Sequence, residues 1–194
     1  MTFFRGDMNT TNRNRCFWVN MKNPLYIAYH DEEWGVPVHS DKKLFEMLIL
    51  ESFQAGLTWE CILNKRENFR KAFDNFDIDK ILNYDNKKIK ELLENTGIIR
   101  NKLKINATIN NSKIFKEIQK EYGSFDKYIW SFTNGEIVVE SFDKRTFSPL
   151  SDEISKDLKK RGMKFVGTTI IYSYLQAIGI INGHSENCDK FKSD

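Results

Sequence analysis

The feature that most constrains the fold is a series of short runs in which apolar residues recur with the period of an α-helix, each beginning near a capping side chain. Ser40 or Asp41 can cap a helix from Lys42 to about Ala55, and Thr58 can cap the next helix. The helices predicted in this way cover residues 42–55, 59–73, 78–82, 86–93, 102–122, 125–132, 152–161 and 168–178.

Strand patterns are almost absent. Residues 136–140 are the only β-like run, and we predict no sheet from them. Two details of the helical pattern are specific enough to check. Ser151 is expected to cap the helix that ends at Arg161, and residues 95–99 predict a tight connection in which Gly97 supplies a corner with positive φ. The predicted fold class is therefore all-α.

Composition places the chain among globular domains without selecting a function. Apolar residues make up 40% and charged residues 29% of 194 residues, enough for one buried domain or two small lobes sharing a groove. We see no apolar run of about 18 residues and no signal peptide, so we expect a cytoplasmic protein without membrane association. Residues 1–14 are predicted to be a mobile tail and residues 15–194 the folded domain. The net charge of +3 permits a nucleic-acid partner but does not require one.

An acidic side chain interrupts the most apolar predicted helix. At about 100° per residue, Glu51 falls on the same face as Leu44 and Met47, so the helix directs a carboxylate inward. Gly56 then breaks the helical pattern, and Trp59 begins the next run. An inward acid beside a flexible corner and a large aromatic ring indicates a pocket. A buried structural ion pair is the alternative explanation of the acid.

Cysteine and histidine side chains near the two ends of the chain have the types needed for a metal site. His184 and Cys188 have the spacing of a zinc ligand pair, and Cys16 and His30 offer two further ligands for a closed tetrahedral site. The alternative is two buried thiols and two ordinary histidines, and spacing alone favours it because the pairs lie far apart in sequence. A closed site would be structural and would join the N-terminal segment to the C-terminal tail.

Several longer motifs follow one another along the chain. They are RC-x-W from Arg15, PLYIAYHD-x-EWGVP from Pro24, LFEM from Leu44, QAGLTW from Gln54, KRENFR from Lys65, GIIR from Gly97 and KKRGMKFVGTT from Lys159. Together these motifs closely resemble the DNA-3-methyladenine glycosylase I family of bacterial alkylation-repair enzymes. The resemblance covers residues 15 to about 188, and several motifs in one order are far more specific than any single pattern.

This resemblance implies a helix-hairpin-helix glycosylase fold in which two helical lobes form one domain around a cleft. The implied activity is base-excision repair: hydrolysis of the N-glycosidic bond of 3-methyladenine in alkylated duplex DNA, by a monomer. One structural zinc ion is also implied, which reverses the preference that spacing gave. Its ligands would be Cys16, His30, His184 and Cys188.

The resemblance assigns the base pocket as well. Glu51 would contact the lesion as the catalytic acidic residue, and Tyr29 and Trp59 would be the walls on which the base stacks. The remaining lining would come from Tyr26, Trp18 and Trp34. Ser52 with Phe53 is bulkier than the family pattern, so the pocket is expected to be narrower. In the empty protein we expect Glu51 to face a cleft without a direct salt bridge.

DNA contacts are implied at two corners of the chain. Leu57, after Gly56, resembles the family's wedge into the gap left by the extruded nucleotide. Gly97 and its neighbours would be the hairpin that holds a phosphate through backbone amides, with help from Lys102 or Lys104. Two other function classes stay open on the sequence: a zinc-stapled DNA-binding module without catalysis, and a helical interaction protein whose aromatic residues are core.

Overall fold

The computed structural model describes residues 13–140 and 145–191, which form mainly helices. The α-helices are α1 (Pro24–Ala28), α2 (Asp41–Gln54), α3 (Trp59–Ala72), α4 (Ile78–Ile81), α5 (Asn86–Glu94), α6 (Lys102–Tyr122), α7 (Phe125–Ser131), α8 (Pro149–Lys160) and α9 (Thr168–Ala177). A π-helical turn, Tyr29–Glu33, continues α1, and a 3₁₀ turn, Asp74–Phe76, follows α3. The prediction of a helical fold class is confirmed. The predicted tail lies outside the described residues except for residues 13 and 14.

Helix α2 lies at the centre of the fold. Every side chain from Leu44 to Phe53 is buried, and the helix contacts α3, α6, α7 and α9. Phe45 packs edge-on against Phe115 of α6, with ring centroids 5.1 Å apart. Phe53 is fully buried against Phe69 of α3, with ring centroids 4.9 Å apart. The Phe53 side chain therefore fills the core, contrary to the expectation that it narrows the pocket. A helix that is apolar on all sides is buried on all sides.

Most of the predicted helix starts are confirmed. The side chains of Thr58, Asp77 and Asp85 each accept a hydrogen bond from a backbone amide in the first turn of the following helix. Helix α8 differs, because Ser148 caps it through reciprocal hydrogen bonds with Ser151. The prediction that Ser151 caps this helix is therefore wrong. Pro149 suits the first helical position, where its missing N–H has no intrahelical partner to lose.

A small parallel sheet joins two distant parts of the chain. Strand β1 (Val138–Val139) pairs with β2 (Ile181–Asn182), with Val138 opposite Ile181. We predicted no sheet, and this was wrong because the partner strand lies after α9, far from β1 in the sequence. The pairing holds the segment after α7 against the C-terminal segment.

The connection between α5 and α6 contains Gly97, but not in the predicted conformation. Gly97 does not have a positive φ, so the predicted corner is wrong. A Cβ at Gly97 would lie 3.1 Å from Cγ of Asn68 on α3, and the Gly97 amide donates to Oδ1 of Asn95 at 2.8 Å. A larger residue here would have to displace a neighbouring side chain, because helix α3 and Asn95 approach the connection closely.

Two aspects of the sequence prediction stay predictions. They are the helix-hairpin-helix designation and the division of residues 15–194 into two lobes. Buried apolar side chains of the described residues form a hydrophobic cluster to which α2, α3, α6 and α9 all contribute. Within residues 13–140 and 145–191, no helix is long and apolar enough to cross a lipid bilayer.

Candidate active site

A cavity of about 230 Å³ opens between α1, the end of α2, the start of α3 and α9. Six of its lining residues are those predicted from the sequence: Trp18, Tyr26, Tyr29, Trp34, Glu51 and Trp59. Three others were not predicted: Gln54, Ser173 and Gln176. Gln176 had a usable signal, because it is a polar residue beside the apolar residues Leu175 and Ala177 near the end of α9. The aromatic rings and a single acidic side chain give the cavity its chemical character.

Glu51 reaches this cavity from the last turns of α2. Its side chain is only 3% exposed, and no described residue forms a hydrogen bond or ion pair with it. Burial alone raises the pKa of Glu51 to about 8. The nearby buried Arg66 is already paired with Glu33 and Glu46, at 2.9 and 2.7 Å. Among the described residues the ion-pair alternative is therefore absent, and the carboxyl group faces the cavity as expected.

The aromatic side chains contact one another around the cavity. The ring centroids of Tyr29 and Trp59 are 5.2 Å apart at an interplanar angle of 44°. The Trp18 ring lies edge-on to Trp34, with centroids 4.8 Å apart, and is tilted against Tyr26, with centroids 5.4 Å apart. A base held between two parallel rings needs about 7 Å between them, twice the van der Waals spacing of about 3.5 Å. In this structure the two predicted walls are therefore too close for a base to lie between them.

Adjacent residues of the π-helical turn serve different parts of the molecule. Tyr29 lines the cavity, whereas His30 points to a cluster of cysteine and histidine side chains. Insertions of this kind are rare in helices and frequent at functional sites. The π-helical turn could not be predicted, because Pro24 to Glu33 has no periodicity that distinguishes it from an ordinary helix.

The corner after α2 is exposed beside the cavity. Gly56 has φ +81°, and a Cβ there would meet open space. Leu57 is 38% exposed, its amide donates to the carbonyl of Gln54 at 2.7 Å, and the Gln54 side chain donates back to the Leu57 carbonyl at 2.6 Å. An apolar side chain therefore projects from a compact turn at the rim, where the sequence predicted a wedge.

The two lysines predicted to contact phosphate have different environments. Lys102 is exposed at the start of α6. Lys104 is only 6% exposed, and its Nζ donates to the carbonyl oxygens of Phe53 and Ala55, both at 2.7 Å. The phosphate role predicted for Lys104 is corrected by these contacts, because its ammonium group already binds the end of α2.

The cysteine and histidine side chains predicted as zinc ligands meet in one buried cluster. Their ligand atoms, from Cys16, His30, His184 and Cys188, all lie within 4.8 Å of one another. The Cys16 Sγ–His184 Nδ1, Cys188 Sγ–His184 Nδ1 and Cys188 Sγ–His30 Nε2 distances are each 3.5 Å. Tetrahedral zinc with the usual bond lengths requires about 3.6 Å between sulfur and nitrogen ligands. The donor set and its spacing therefore fit a zinc ion.

Surrounding groups orient these side chains. Asp31 accepts from His30 Nδ1 at 2.8 Å and is held by Arg15, whose Nη2 donates at 2.6 Å. A carboxylate behind a histidine ligand is a common arrangement in zinc sites. A Cβ at Gly35 would lie 2.8 Å from His184 Nε2, so only glycine lets the ring approach. The predicted ligands thus have the supporting contacts of a metal site.

The two thiols have different acidities. Burial opposes ionisation of Cys16, but hydrogen bonds from His184, His30 and Ser185 lower its pKa to about 5. Burial raises the pKa of Cys188 to about 11, and the neighbouring Cys16 adds to the shift. One thiolate is therefore favoured within the cluster itself, and a second requires a cation nearby.

Comparison with known proteins agrees with this geometry. Residues 18–192 match the methyladenine glycosylase family. The chain is 46% identical to DNA-3-methyladenine glycosylase 1 of Escherichia coli (strain K12) over 178 residues, covering 90% of this chain and 95% of that protein. A crystal structure of 3-methyladenine DNA glycosylase I superposes with a TM-score of 0.88 at 45% identity, covering 92% of this chain and 100% of the other.

A second solved structure bears on the cavity. It is a variant of 3-methyladenine DNA glycosylase I in complex with 3-methyladenine, with a TM-score of 0.85 and 35% identity over 89% of this chain and 96% of that one. Both the sequence and the fold are therefore similar over nearly the full length of these proteins. The chain belongs to the methyladenine glycosylase family.

Proposed function

We propose that this protein is a DNA glycosylase of base-excision repair that hydrolyses the N-glycosidic bond of 3-methyladenine in alkylated duplex DNA and leaves an abasic site. The observation that carries the proposal is a buried, unpaired Glu51 carboxyl group in a cavity lined by aromatic rings. Such a cavity has the chemistry for a flat, positively charged ligand.

Methylation at N3 makes the adenine of a nucleotide cationic. A cation is attracted by the faces of aromatic rings and by a carboxylate, and both attractions are stronger where water is excluded. Neutral adenine lacks the charge and gains less from either contact. Because the pKa of Glu51 is about 8 in the free protein, capture of the cation also favours loss of the carboxyl proton.

A base within a duplex must leave the stack before it can enter the cavity. A damaged base costs less to extrude than a normal one, which contributes to selectivity. Leu57, at the exposed corner after Gly56, lies at the rim and has the apolar character to occupy the gap that extrusion leaves. In this proposal Leu57 stabilises the extruded state, and Tyr29 and Trp59 separate to admit the base.

Much of the rate is proposed to come from the substrate itself. The cationic base is an activated leaving group, so positioning it and stabilising its departure lowers the barrier to bond cleavage. Glu51 is the only acidic side chain among the described residues that line the cavity. The protein therefore supplies recognition and positioning, with no second carboxylate in the lining to activate water.

Chromatography of the free bases released from methylated duplex DNA tests this function. We expect 3-methyladenine to appear with the wild-type protein, and Glu51→Gln to slow its release by at least about tenfold, or about 1.4 kcal/mol of barrier. Full release by Glu51→Gln would remove Glu51 from recognition. DNA binding without release by the wild-type protein would select the non-catalytic module.

We further propose that Cys16, His30, His184 and Cys188 hold one structural zinc ion. Four protein ligands leave no position for water, so the ion would supply stability and no chemistry at the base. A dication would favour both thiolates, including that of Cys188, whose pKa burial raises. Zinc would thereby fix the N-terminal segment against the C-terminal segment, where the Asp189 amide donates to the Asn14 carbonyl at 2.9 Å.

We also propose that the connection from α5 to α6 is the hairpin of a helix-hairpin-helix motif. The exposed Lys102 and backbone amides other than those of Gly97, Leu103 and Lys104, which donate to Asn95 and Asn101, would hold a phosphate without reading sequence. The protein is proposed to act on duplex DNA as a monomer. Light scattering on the protein peak from a gel-filtration column should then give a mass near the 22.9 kDa of one chain.

A further inference from the structure

A buried lysine holds the end of the helix that carries Glu51. Lys104 lies in the first turn of α6, and its Nζ donates to the carbonyl oxygens of Phe53 and Ala55, both at 2.7 Å. The Phe165 ring lies beneath the same ammonium group, 5.8 Å from Nζ to the ring centroid. No carboxylate among the described residues pairs with Lys104. The cation is thus held by backbone carbonyls and an aromatic face.

The location of these carbonyls explains why a cation is stable there. Helix α2 ends at Gln54, and its last carbonyl groups have no intrahelical amide partner. They also form the negative end of the helix dipole, which favours a positive charge. Charge-assisted hydrogen bonds are about twice as strong as neutral ones. Lys104 therefore stabilises a helix end that the glycine corner cannot satisfy itself.

This helix end adjoins both parts of the proposed active site. Glu51 lies on the same turn, and the corner with Gly56 and Leu57 follows directly. Glu51 has a support besides Lys104, because the hydroxyl of the next residue, Ser52, lies within hydrogen-bonding distance of the Leu48 and Phe165 carbonyl oxygens, at 2.8 and 3.1 Å. The corner is held by hydrogen bonds between Gln54 and Leu57, and no side chain packs within 4 Å of the position that a Cβ at Gly56 would take. Loss of Lys104 should affect the corner first.

Lys104 also connects the corner to the hairpin side of the protein. Asn101 caps α6 by accepting from the amides of Leu103 and Lys104, at 3.0 and 3.2 Å. Lys104 thus has its backbone amide at the cap of α6 and its ammonium group at the end of α2. A phosphate bound at the hairpin and an apolar wedge at the corner would be held in fixed relation by this one side chain.

We propose that Lys104 is a positioning residue for base extrusion, which fixes the Gly56–Leu57 corner relative to the hairpin. The proposal rests on the proposed glycosylase function and on Leu57 as the wedge. Lys104 does not touch the base. Removal of the Lys104 side chain should therefore slow base release from duplex DNA and leave the affinity of the pocket for the free base unchanged.

The test compares Lys104→Met with Lys113→Met, which removes an exposed lysine from the same helix. Three quantities are measured well below the melting temperature: the single-turnover rate of 3-methyladenine release from methylated duplex, the affinity for free 3-methyladenine by tryptophan fluorescence, and hydrogen exchange at the Leu57 amide. For Lys104→Met we expect the release rate to fall by at least about tenfold, because small misplacements cost that much.

Free-base affinity of Lys104→Met should stay within about twofold of wild type, as expected for a site that does not share its contacts. Exchange at the Leu57 amide, which donates to Gln54, should become faster. Lys113→Met should change none of the three quantities. Equal losses in duplex release and free-base affinity would reduce Lys104 to support of the pocket and overturn the proposal, and so would unchanged release.

A second variant keeps the proposal testable if Lys104→Met does not fold. Lys104→Arg retains donors for the two carbonyl groups, and we expect a smaller loss of duplex release with free-base affinity again preserved. Loss of free-base affinity in Lys104→Arg would contradict the proposal. Failure of the glycosylase function itself is distinguished by the wild-type protein, which would then release no 3-methyladenine at all.

Discussion

Glu46 and Glu51 are both buried on α2, yet their environments are opposite. Glu46 accepts from Arg66 Nε and from Arg70 Nη2, both at 2.7 Å. Glu51 has no such partner among the described residues, and burial raises its pKa to about 8. An unpaired buried acid costs stability when it ionises, whereas a paired one costs stability when its partner is lost. The two residues therefore make a matched pair for experiment.

Replacing Glu51 with glutamine should stabilise the empty protein in a pH-dependent way. Between pH 4.5 and about 8 the folded protein keeps a proton that the unfolded chain has lost, so wild-type stability falls as pH rises through this interval. Glu51→Gln lacks this titration. Its advantage in the free energy of unfolding should grow across the interval to roughly a few kcal/mol, measured by urea denaturation.

The control is Glu46→Gln on the same helix. It should destabilise the protein by roughly 3 kcal/mol at pH 7, because it leaves the buried Arg66 without a full partner. A pH-independent effect of Glu51→Gln would mean that its carboxyl group is solvated in the empty protein.

The acidity of Glu51 should also appear in catalysis. The pH dependence of kcat/KM reports groups of the free enzyme, and recognition of a cation requires the ionised carboxylate. We therefore expect kcat/KM on methylated duplex to rise with pH and level off above about pH 8. Glu51→Gln should remove this rising limb. A flat profile for the wild-type protein from about pH 6 to 9 would contradict the assignment.

Residue types were predictable at this site, but their pairing was not. Helical period alone directed Glu51 inward, because Leu44 and Met47 lie on the same face. Period cannot show that Arg66 is occupied by Glu33 and Glu46, since that depends on three helical segments meeting. The same limit applies to Lys104, whose sequence position beside the hairpin suggested phosphate and whose actual partners lie on α2.

At the scale of elements, the connection between α5 and α6 has little room for a side chain at Gly97. Because Gly97 lacks a positive φ, Gly97→Ala is not expected to strain the backbone. Its Cβ would instead meet Oδ1 of Asn95 at 3.0 Å and Cγ of Asn68 at 3.1 Å. We expect a loss of about 1–3 kcal/mol in unfolding free energy, partly restored by Asn68→Ala in the double variant. Additive losses in a double-mutant cycle would show that the contact with α3 is not the cause.

The same connection should contribute to the electrostatic footprint on DNA. Lys102 is exposed at the start of α6, whereas Lys104 is committed to α2. Lys102→Met should lower the slope of log affinity against log salt concentration by about 0.9, the value for one phosphate contact. Lys113→Met provides the control from the same helix. An unchanged slope for Lys102→Met would place the hairpin's phosphate contacts on backbone amides alone.

Elements whose signals are local were predictable, and those that need a distant partner were not. Thr58, Asp77 and Asp85 cap the helices they precede in sequence. The pairing of β1 with β2 joins residues far apart in the chain, and two-residue strands carry no periodic signal of their own. Ser148 was missed because the loop before Pro149 looked continuous with the preceding irregular segment.

At the scale of the whole molecule, the cysteine and histidine cluster connects the chain ends to the base pocket. Trp34 lines the cavity and contacts His184 edge-on, with ring centroids 4.5 Å apart. Trp18 contacts His30 in the same manner at 5.3 Å. Spacing alone favoured the alternative without a metal, because the spacing of His184 and Cys188 does not show where the distant Cys16 lies in the fold. Resemblance to a family supplied the ligand set, and folding brings its members together.

If the cluster holds the proposed zinc ion, its removal should loosen both the chain ends and one wall of the pocket. Protein prepared without chelators should contain one zinc per chain by elemental analysis, and Cys188→Ser should contain much less. Cys61→Ser is the matched control, because Cys61 lies outside the cluster. Chelation should lower the melting temperature by more than about 5 °C, since a structural zinc ion contributes folding free energy directly.

Tryptophan fluorescence should change together with metal loss, because Trp18 and Trp34 pack on the ligand rings. Release of 3-methyladenine should decline in parallel and return when zinc is restored. Full activity of metal-free protein at a temperature where it stays folded would separate the cluster from the pocket. The zinc proposal would be wrong if chelation left the melting temperature unchanged and the wild-type protein contained no zinc. The cluster would then be two buried thiols and two ordinary histidines.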